Sequence, residues 1–391
     1  MVKSKIRFAL LVALCTYALT GCTNKINQTG SWLIGTDSTL VPRIFDSGSL
    51  GVKVTSSQVN AGIITGSSDS LSIGSVPWTE ADLLLQFYNV DSVYAAKTIT
   101  SAKIILRRAG YVLQPAGYNV GNLQFVGYVM DSSWSSTTFT WDSVLAAPRG
   151  IQNIVLGRPV IDDTTITLNV DTGIVRQWSL ATAYPDSNYE KNGFLLKPVN
   201  ISGILSIYSS IGAYRPELIV TFIDTNGVAD TVTSVSSNSA SVAHTTIVNA
   251  VPQGPYRILQ SGTGLREKLI FDLTRIPNLS IINYAQLTLF ADTLDTLYSG
   301  KSVDSLYAYH ITDPSINAVD YPYTSTLIGH KYTFNVTVAV QQMLNTGNYG
   351  FLVIRFDESS NVDARFIYDE SAPDSLKPRL TITYSPAVSK K

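Results

Sequence analysis

The sequence has little charge, few histidines and almost no cysteine. Its 391 residues include 2 Cys and 3 His, and charged residues make up 15%, against about 25% in typical soluble domains. Two cysteines cannot build a disulfide framework for a chain of this length, so we expect hydrophobic cores to stabilise it. The formal net charge is -1, which argues against a basic surface and hence against a nucleic-acid partner.

Both cysteines lie in an N-terminal segment that is typical of a secretion signal. Lys3, Lys5 and Arg7 precede an apolar run over residues 8–19. This run is shorter than the roughly 20 apolar residues of a membrane-spanning helix, which favours a signal peptide. The sequence Leu-Thr-Gly-Cys then ends at Cys22 and resembles the lipobox of bacterial lipoproteins. The alternative is an ordinary signal peptide in which this cysteine has no role.

The lipobox resemblance implies that Cys22 is the lipid attachment site and the first residue of the mature chain. We therefore predict a lipoprotein signal peptide over residues 1–21 and a polar tether over residues 22–30. Stable anchoring takes more than one acyl chain, because each buried CH₂ group contributes about 0.8 kcal/mol. We expect the protein to be anchored by lipid in a bacterial cell envelope, at the outer membrane, with its periplasmic and surface faces both left open.

Most of the remaining chain shows the pattern of β-strands. Apolar and polar residues alternate, for example, over residues 165–170, 218–222 and 380–384. A period of two is typical of antiparallel strands that bury one face. Short strands that are separated by turn residues indicate a sandwich or a barrel. Residues 173–178 and 338–344 instead have the apolar spacing of short helical turns.

An ordered set of these segments occurs twice, which indicates two related domains. The matching segments are 84–87 and 268–271, 101–106 and 284–289, 168–170 and 334–336, 192–196 and 349–353, and 215–218 and 377–380. We therefore predict an all-β protein of two tandem antiparallel jelly-roll-like β-sandwich domains, each with one or two short helical turns. The first domain covers residues 31–223 and the second covers residues 228–386, with the Asn226-Gly227 turn between them.

The repeated motifs resemble those of a known family of repeats. Each copy has an apolar strand that ends in Phe, a strand beginning with Ala, an Asn-Val segment before a helical turn, a Gly-Phe-Leu segment and a closing strand after Pro. This set is similar to the DNRLRE, or disaggregatase-related, repeats, which overlap carbohydrate-binding module family 96. The resemblance implies a jelly-roll β-sandwich and, for some members, polysaccharide binding. Only the first copy has the Trp134 and Trp141 pair, and it has Gln86-Phe87-Tyr88 where the family has Arg-Phe-Asp.

Aromatic and basic side chains are the candidates for polysaccharide binding. Flat aromatic rings can pack against the apolar face of a sugar while nearby polar groups fix its orientation. Two of the basic side chains share one face of a predicted strand, where they would meet an acidic glycan. The candidate ligand-binding residues are Trp78, Tyr88, Lys103, Arg107, Tyr111, Tyr118 and Tyr128. The alternative is that the tyrosines pack on the sheets and that the basic pair protects an edge strand.

The three other tryptophans are expected to have a structural role. Trp134 and Trp141 belong to the family pattern, and Trp178 follows an amphipathic turn. We predict that all three lie in hydrophobic cores and that none forms a sugar platform.

Catalysis has no support from the sequence motifs. His244, His310 and His330 do not occur in a His-Glu-x-x-His pattern, and no nucleophile elbow or phosphate-binding loop is present. We therefore predict no enzyme activity, no catalytic residue, no metal site and no cofactor. The oxygen-rich segment Asp224–Asp230 lacks the spacing of a calcium-binding loop, so a linker turn is favoured over structural Ca²⁺.

These observations together predict a non-catalytic, lipid-anchored cell-envelope protein that binds polysaccharide through its β-sandwich modules. The expected partners are the membrane, through the N-terminal lipid, and a polysaccharide. The alternative is a structural or adhesive protein that contacts another envelope protein. A concave aromatic surface would favour glycan binding, whereas a broad and flat apolar patch would favour a protein partner. A hydrolase would need two titratable groups that converge in a cleft.

Overall fold

The structure is a computed structural model, and it describes residues 41–87, 90–147, 149–184, 191–224, 226–246, 254–292, 304–315 and 318–386. The predicted signal peptide, Cys22 and the predicted tether lie outside the described residues. Antiparallel strands dominate the described chain, which confirms the all-β prediction.

The strands are β1 (Arg43–Asp46), β2 (Val54–Asn60), β3 (Ser70–Val76), β4 (Thr79–Gln86), β5 (Thr98–Leu113), β6 (Phe125–Val129), β7 (Val155–Ile161), β8 (Thr165–Val170), β9 (Phe194–Pro198), β10 (Gly203–Tyr208), β11 (Glu217–Ile223), β12 (Ala229–Val235), β13 (Asn238–Thr245), β14 (Tyr256–Gln260), β15 (Leu265–Phe271), β16 (Ile281–Phe290), β17 (Ser305–Asp313), β18 (Ala318–Thr326), β19 (Lys331–Asn335), β20 (Phe351–Arg355), β21 (Ala364–Tyr368) and β22 (Arg379–Ser385). The α-helices are α1 (Trp141–Ala146), α2 (Thr172–Ala183) and α3 (Thr337–Thr346), and short 3₁₀ helices cover Ser92–Ala96 and Val120–Asn122.

The first sandwich is formed by two antiparallel layers that enclose one hydrophobic core. One layer contains β12, β11, β5, β8 and β7, and the other contains β10, β3, β4, β9 and β6, with β13 beside β4. The long strand β5 connects the layers, because its first part pairs with β11 and β8 and its last part pairs with β10. Alternate residues point inward, such as Leu83 and Leu85 from one layer and Ile104 and Leu106 from the other.

The second sandwich repeats this arrangement with its own core. A four-stranded sheet has the order β1-β22-β16-β19, and it faces a sheet with the order β18-β17-β20-β15-β14-β21, in which β2 also pairs with β15. Leu287 and Phe334 from the first sheet meet Leu269, Phe351 and Val353 from the second in one buried cluster.

The strand pairing crosses the predicted boundary at residues 223–228 in both directions. Strands β1 and β2 fall in the predicted first domain, yet they pair with β22 and β15. Strands β12 and β13 fall in the predicted second domain, yet they pair with β11 and β4. The first sandwich is therefore built from β3–β13, and the second is built from β14–β22 together with β1 and β2. The predicted division was contiguous in sequence, whereas long-range pairing sets the actual division.

Helices α2 and α3 lie where short helical turns were predicted, whereas α1 was not predicted. Asp171 caps α2, since its Oδ1 accepts a hydrogen bond from the Gly173 amide at 2.7 Å. Val175 and Trp178 of α2 are buried in the first core, and Met343 of α3 is buried in the second. No helix in the described parts of the chain is long and apolar enough to span a membrane.

Candidate functional site

A cleft of about 390 Å³ lies where the two sandwiches meet. This volume is within the range of small-molecule sites, which is roughly 300–1,000 Å³. Its walls come from the ends of β2 and β13, from α1 and from the turn between β14 and β15. The lining residues are Asn60, Gly62, Ile63, Thr140, Trp141, Asp142, Leu145, Ala243, His244, Thr245, Gly262 and Thr263.

Helix α1 forms one wall because apolar contacts hold it against the outer face of the first sandwich. Val144 packs in a buried cluster with Trp134 and Phe139, and this cluster covers Leu84 of β4. The indole Nε1 of Trp134 donates a hydrogen bond to the Asn192 carbonyl at 2.7 Å. A short helix of this kind has little stability of its own, so the packing of these side chains fixes its position.

An aromatic stack lies at the start of α1. The rings of Trp141 and His244 are 4.9 Å apart between centroids and are inclined by 23°. Trp141 is half-buried and His244 is exposed, and both line the cleft. The ammonium group of Lys197 lies 5.8 Å from the centre of the Trp141 ring, a distance at which a cation interacts favourably with an aromatic ring.

A charged cluster lies next to this stack on β4 and β9. Lys197 forms an ion pair with Glu80, and its Nζ lies 3.8 Å from Oδ2 of Asp82. Asp82 is fully buried. Burial raises the pKa of Asp82 to about 7; Lys197 acts in the opposite direction, and Glu80 raises it further. The cluster therefore holds a carboxyl group that can change its charge near neutral pH.

Polar contacts join the two sandwiches beside the cleft. Within the first sandwich, the hydroxyl groups of Thr79 and Thr245 are 3.1 Å apart. Gln260, from the second sandwich, donates from Nε2 to Oγ1 of Thr79 at 2.9 Å. The phenol of Tyr111 donates to Oδ1 of Asp363 at 2.7 Å, also across the junction. These contacts fix the relative position of the two walls.

Two of the residues predicted to bind ligand are packed at the junction. Trp78 and Tyr111 both contact a buried cluster that contains Leu113 and Ile204 of the first sandwich and Val362 of the second. Burial, together with the neighbouring Asp363, raises the pKa of Tyr111 well above its ordinary value. Neither ring lines the cleft, so both have a role in holding the sandwiches together.

The predicted basic pair lies on the outer face of the first sandwich. Lys103 is exposed and Arg107 is half-buried, and Nη2 of Arg107 is 3.9 Å from Glu217. Both lie on β5, which has β11 on one side and β8 on the other. The alternative of a charged edge strand is therefore wrong, because β5 is an interior strand at these positions.

The remaining predicted residues do not converge on this cleft either. Tyr118 is half-buried in the segment after β5, and Tyr128 is half-buried on β6 with the Arg149 guanidinium 5.9 Å from its ring. Tyr88 and Cys22, the predicted lipid attachment residue, lie outside the described residues.

The sequence analysis missed the two aromatic residues that line the cleft. Trp134 and Trp178 are buried, as predicted, but Trp141 is half-buried at the junction. The sequence predicts a core position for both Trp134 and Trp141. The position of α1 places Trp141 in the wall of the cleft instead. His244 belongs to an alternating segment, and no motif marks it.

The other two histidines belong to the second sandwich and do not line the cleft. His310 is buried on β17, and burial lowers its pKa. His330 stacks on Phe290 with ring centroids 5.9 Å apart. Within the described residues, no three His, Cys, Asp or Glu side chains are close enough to hold a metal ion. Asp224 caps a turn, accepting from the amides of Asn226 and Val228 at 2.8 Å each.

Comparison with known proteins gives no family assignment. No known protein family matches the sequence, and no curated protein matches it. Two solved structures are similar to a small degree: BcpA, the major pilin subunit of Bacillus cereus, and an aspartate-to-alanine variant of it. The variant is 10% identical with a TM-score of 0.18, and BcpA itself is 8% identical with a TM-score of 0.17; in both cases 83% of this chain and 68% of the other chain are covered. Likeness at this level carries no argument about fold or function.

Proposed function

We propose that this protein is a non-catalytic, lipid-anchored cell-envelope protein that binds polysaccharide in the cleft between its two sandwiches. The observation that carries this proposal is the stack of Trp141 on His244 in the wall of the cleft. The apolar face of a sugar ring packs well against aromatic side chains. The surrounding hydroxyl, amide and carboxyl groups of Thr245, Asn60 and Asp142 offer hydrogen bonds to sugar hydroxyls.

The lining of the cleft favours a neutral polysaccharide over an acidic one. Among the described residues that line it, Asp142 carries a negative charge, and there is no Lys or Arg. The basic residues Lys103, which is exposed, and Arg107, which is half-buried, lie on the outer face of β5 and do not line the cleft. An acidic chain would therefore meet the Asp142 carboxylate, while the nearby Lys197 is already paired with Glu80.

Lipid anchoring is supported by the N-terminal sequence. A basic start, a short apolar run and the Leu-Thr-Gly-Cys sequence precede Cys22. The resemblance of the repeated motifs to DNRLRE repeats supports a carbohydrate ligand for the sandwiches. An envelope location would place such a binding protein beside surface polysaccharides.

Affinity electrophoresis tests the binding proposal. The full chain with Cys22→Ser is run through gels that contain neutral or acidic polysaccharides. We expect retardation in a neutral polysaccharide, and at least a tenfold weaker apparent affinity for Trp141→Ala. Tyr118→Ala is the matched control, since it removes a half-buried aromatic ring that does not line the cleft, and it should bind as the parent does.

Two results would contradict the proposal. One is normal retardation of Trp141→Ala, which would place the ligand elsewhere. The other is no retardation of the folded parent by any polysaccharide. Retardation only by acidic chains, with loss on Lys103→Gln, would move the site to the outer face of β5.

The structural or adhesive alternative has one observation in its favour. Ile44 of β1 and Tyr284 of β16 flank Thr383 of β22 on neighbouring strands, and both are exposed. Leu279 and Ile281 are also exposed just before and at the start of β16. Exposed apolar side chains in such proximity are typical of a surface that contacts protein. Cross-linking of envelope preparations, compared between the parent and Tyr284→Ser, would reveal such a contact.

A further inference from the structure

The two N-terminal strands complete the second sandwich, although they precede the first sandwich in the chain. All seven residues of β2 pair with β15, from Asn60 opposite Leu265 to Val54 opposite Phe271. Strand β1 pairs with β22 and places Phe45, which is 2% exposed, in the second core. The second sandwich is thus assembled around a segment, residues 43–60, that comes from a distant part of the sequence.

The first sandwich has the same two positions, but a different part of the chain fills them. Strand β13 pairs with β4 as β2 pairs with β15, with Ser239 opposite Leu85 and Ser56 opposite Leu269. Strand β12 pairs with β11 as β1 pairs with β22. The pair β12–β13 precedes the second repeat as β1–β2 precedes the first. Each repeat therefore has its leading strand pair in the sandwich of the other.

The two strand pairs are connected to their sandwiches in different ways. Strand β12 follows its partner β11 directly, and the Asp224 amide donates to the Val228 carbonyl at 2.9 Å to close the turn between them. It cannot leave β11 without breaking this turn. Strand β2 has no such link to β15, because residues 61–69 lead it to β3 of the first sandwich. A change in the path of residues 61–69 would release β1–β2 and leave both sandwiches covalently intact.

Polar contacts hold the middle of β2, and Val54 and Val59 near its ends pack on apolar clusters of the second sandwich. Gln58 donates from Nε2 to the carbonyls of Ile258 and Arg266 at 2.8 and 2.7 Å, which adds to the main-chain pairing with β15. Ser56 is buried beside Glu267 of β15, which is also fully buried. A strand with this polar composition contributes little apolar area. The attachment of β1–β2 to the second sandwich therefore depends mainly on backbone pairing and on Phe45.

We propose that β1–β2 of one copy occupies the acceptor site in the second sandwich of another copy, so that chains join head to tail. The acceptor site is the position beside β15 and β22 that β1–β2 fills within one chain. The hydrogen bonds and packing described above link residues 43–60 to residues 254–386. A second copy can supply all of them unchanged, and only the path of residues 61–69 differs. Each copy then has one strand pair to donate and one acceptor site. The contact is therefore heterologous and can extend along a row of molecules.

Ionisable groups around the acceptor site make strand exchange depend on pH. Burial raises the pKa of Glu267 to about 8; Ser56 of β2 and Arg257 of β14 act to lower it, while Asp369 and Glu370 after β21 raise it. Above this pH the buried carboxylate is ionised, which is unfavourable away from water. Withdrawal of β2 exposes the carboxylate to water and removes this cost. Exchange is therefore expected to be faster at pH 9 than at pH 7.

Disulfide trapping between single-cysteine variants tests the proposal. Both natural cysteines are replaced, as Cys15→Ser and Cys22→Ser, in the full chain. One sample then carries Ser57→Cys and the other Lys268→Cys, two positions that are directly opposite in the β2–β15 pairing. In a mixture of the two, pairing of β2 of one molecule with β15 of another places residues 57 and 268 opposite each other, so a 57–268 disulfide above the control level reports exchange.

The matched control uses the strand pair that cannot exchange. Thr221→Cys and Thr231→Cys are directly opposite in the β11–β12 pairing. We expect at least tenfold more of the 57–268 disulfide than of the 221–231 disulfide, as measured by mass spectrometry of the dimer band. The ratio should rise from pH 7 to pH 9, and the control pair corrects for the greater reactivity of thiols at high pH. Equal yields from the two pairs would overturn the proposal, as would a 57–268 yield at the background level.

Discussion

The two sandwiches share one strand arrangement but differ in how they are completed and covered. The first takes β12 and β13 from the chain that follows it, and the second takes β1 and β2 from the chain that precedes the first. The first also has an outer apolar layer, in which α1 and Trp134 cover β4. The described part of the second buries more ionisable groups, among them Glu267 on β15 and Arg355, which pairs with the half-buried Asp304 at 2.8 Å.

This difference shows that a repeat can keep its strand positions while the source of the strands changes. Phe45 of β1 is buried in the second core, whereas the corresponding residue of β12, Val232, is 37% exposed. The donated strand therefore contributes a core side chain, while the local strand contributes mainly backbone hydrogen bonds. A short covalent turn makes up for weak side-chain packing in one sandwich, and buried aromatic area makes up for a missing turn in the other.

The largest effect that would break this comparison is expected from Phe45→Ala. Removal of a buried Phe side chain typically costs about 4 kcal/mol, because both transfer free energy and packing are lost. We expect a loss of this size in the free energy of unfolding of the second sandwich, measured by urea denaturation. Val232→Ala is the matched change in the first sandwich and should cost less than about 1 kcal/mol. Equal losses for the two variants would contradict the distinction between a donated core strand and a local covering strand.

A smaller effect, with a defined pH dependence, is expected from Glu267→Gln. The folded pKa of about 8 lies above the ordinary value of 4.5, so the folded state keeps a proton that the unfolded state releases. Stability therefore falls as pH rises from about 4.5 to about 8, and Gln at this position removes this fall. Between pH 4 and pH 7 we expect the stability difference to move by about 3 kcal/mol in favour of the variant.

Urea denaturation at several pH values measures this change. Asp82→Asn provides the comparison in the first sandwich, where burial raises the pKa of the carboxyl to about 7. Its effect should have the same sign and be complete at a lower pH. Curves for Glu267→Gln and the parent that stay parallel from pH 4 to pH 9 would show that Glu267 is not buried as described.

The smallest effect is expected from Tyr111→Phe, which removes one hydrogen bond between the sandwiches. The lost bond from the phenol to Asp363 spans 2.7 Å, and a hydrogen bond to a charged group contributes about 1.5–3 kcal/mol. We expect a loss of about 1.5 kcal/mol in stability, with the unfolding of the two sandwiches less coupled, as followed by differential scanning calorimetry. Tyr118→Phe, away from the junction, should leave the calorimetric trace unchanged. An identical trace for Tyr111→Phe would mean that this bond does not couple them.

Local structure could be predicted from the sequence because its signals are local. Alternation over residues 165–170, 218–222 and 380–384 gives β8, β11 and β22. The spaced apolar residues at 173–178 and 338–344 lie within α2 and α3. The repeat was visible because the same inward-facing positions recur in both copies.

The pairing of β1 and β2 could not be predicted, because it depends on residues far away in sequence. Strand β2 has the sequence Val-Thr-Ser-Ser-Gln-Val-Asn, in which no apolar alternation marks a buried face. The prediction places Trp141 in a core together with Trp134, whereas Trp134, which precedes α1, is buried and Trp141, the first residue of α1, lines the cleft. Residue type predicts that a ring will be useful for binding or packing, but only the tertiary arrangement decides between them.

The adjacent positions of β1 and β22 also determine how the molecule would respond to a pulling force. Arg43 is opposite Tyr384 and Asp46 is opposite Thr381, so the chain enters β1 and leaves β22 at the same end of this strand pair. Tension between residue 41 and residue 386 would therefore open the pair one hydrogen bond at a time, starting at Arg43, and would not shear all the bonds together. The first sandwich lies outside this line of force. It would bear tension only after β1 and β2 had separated from the second sandwich. Strands β1 and β2 would therefore be the first part of the described structure to unfold under force.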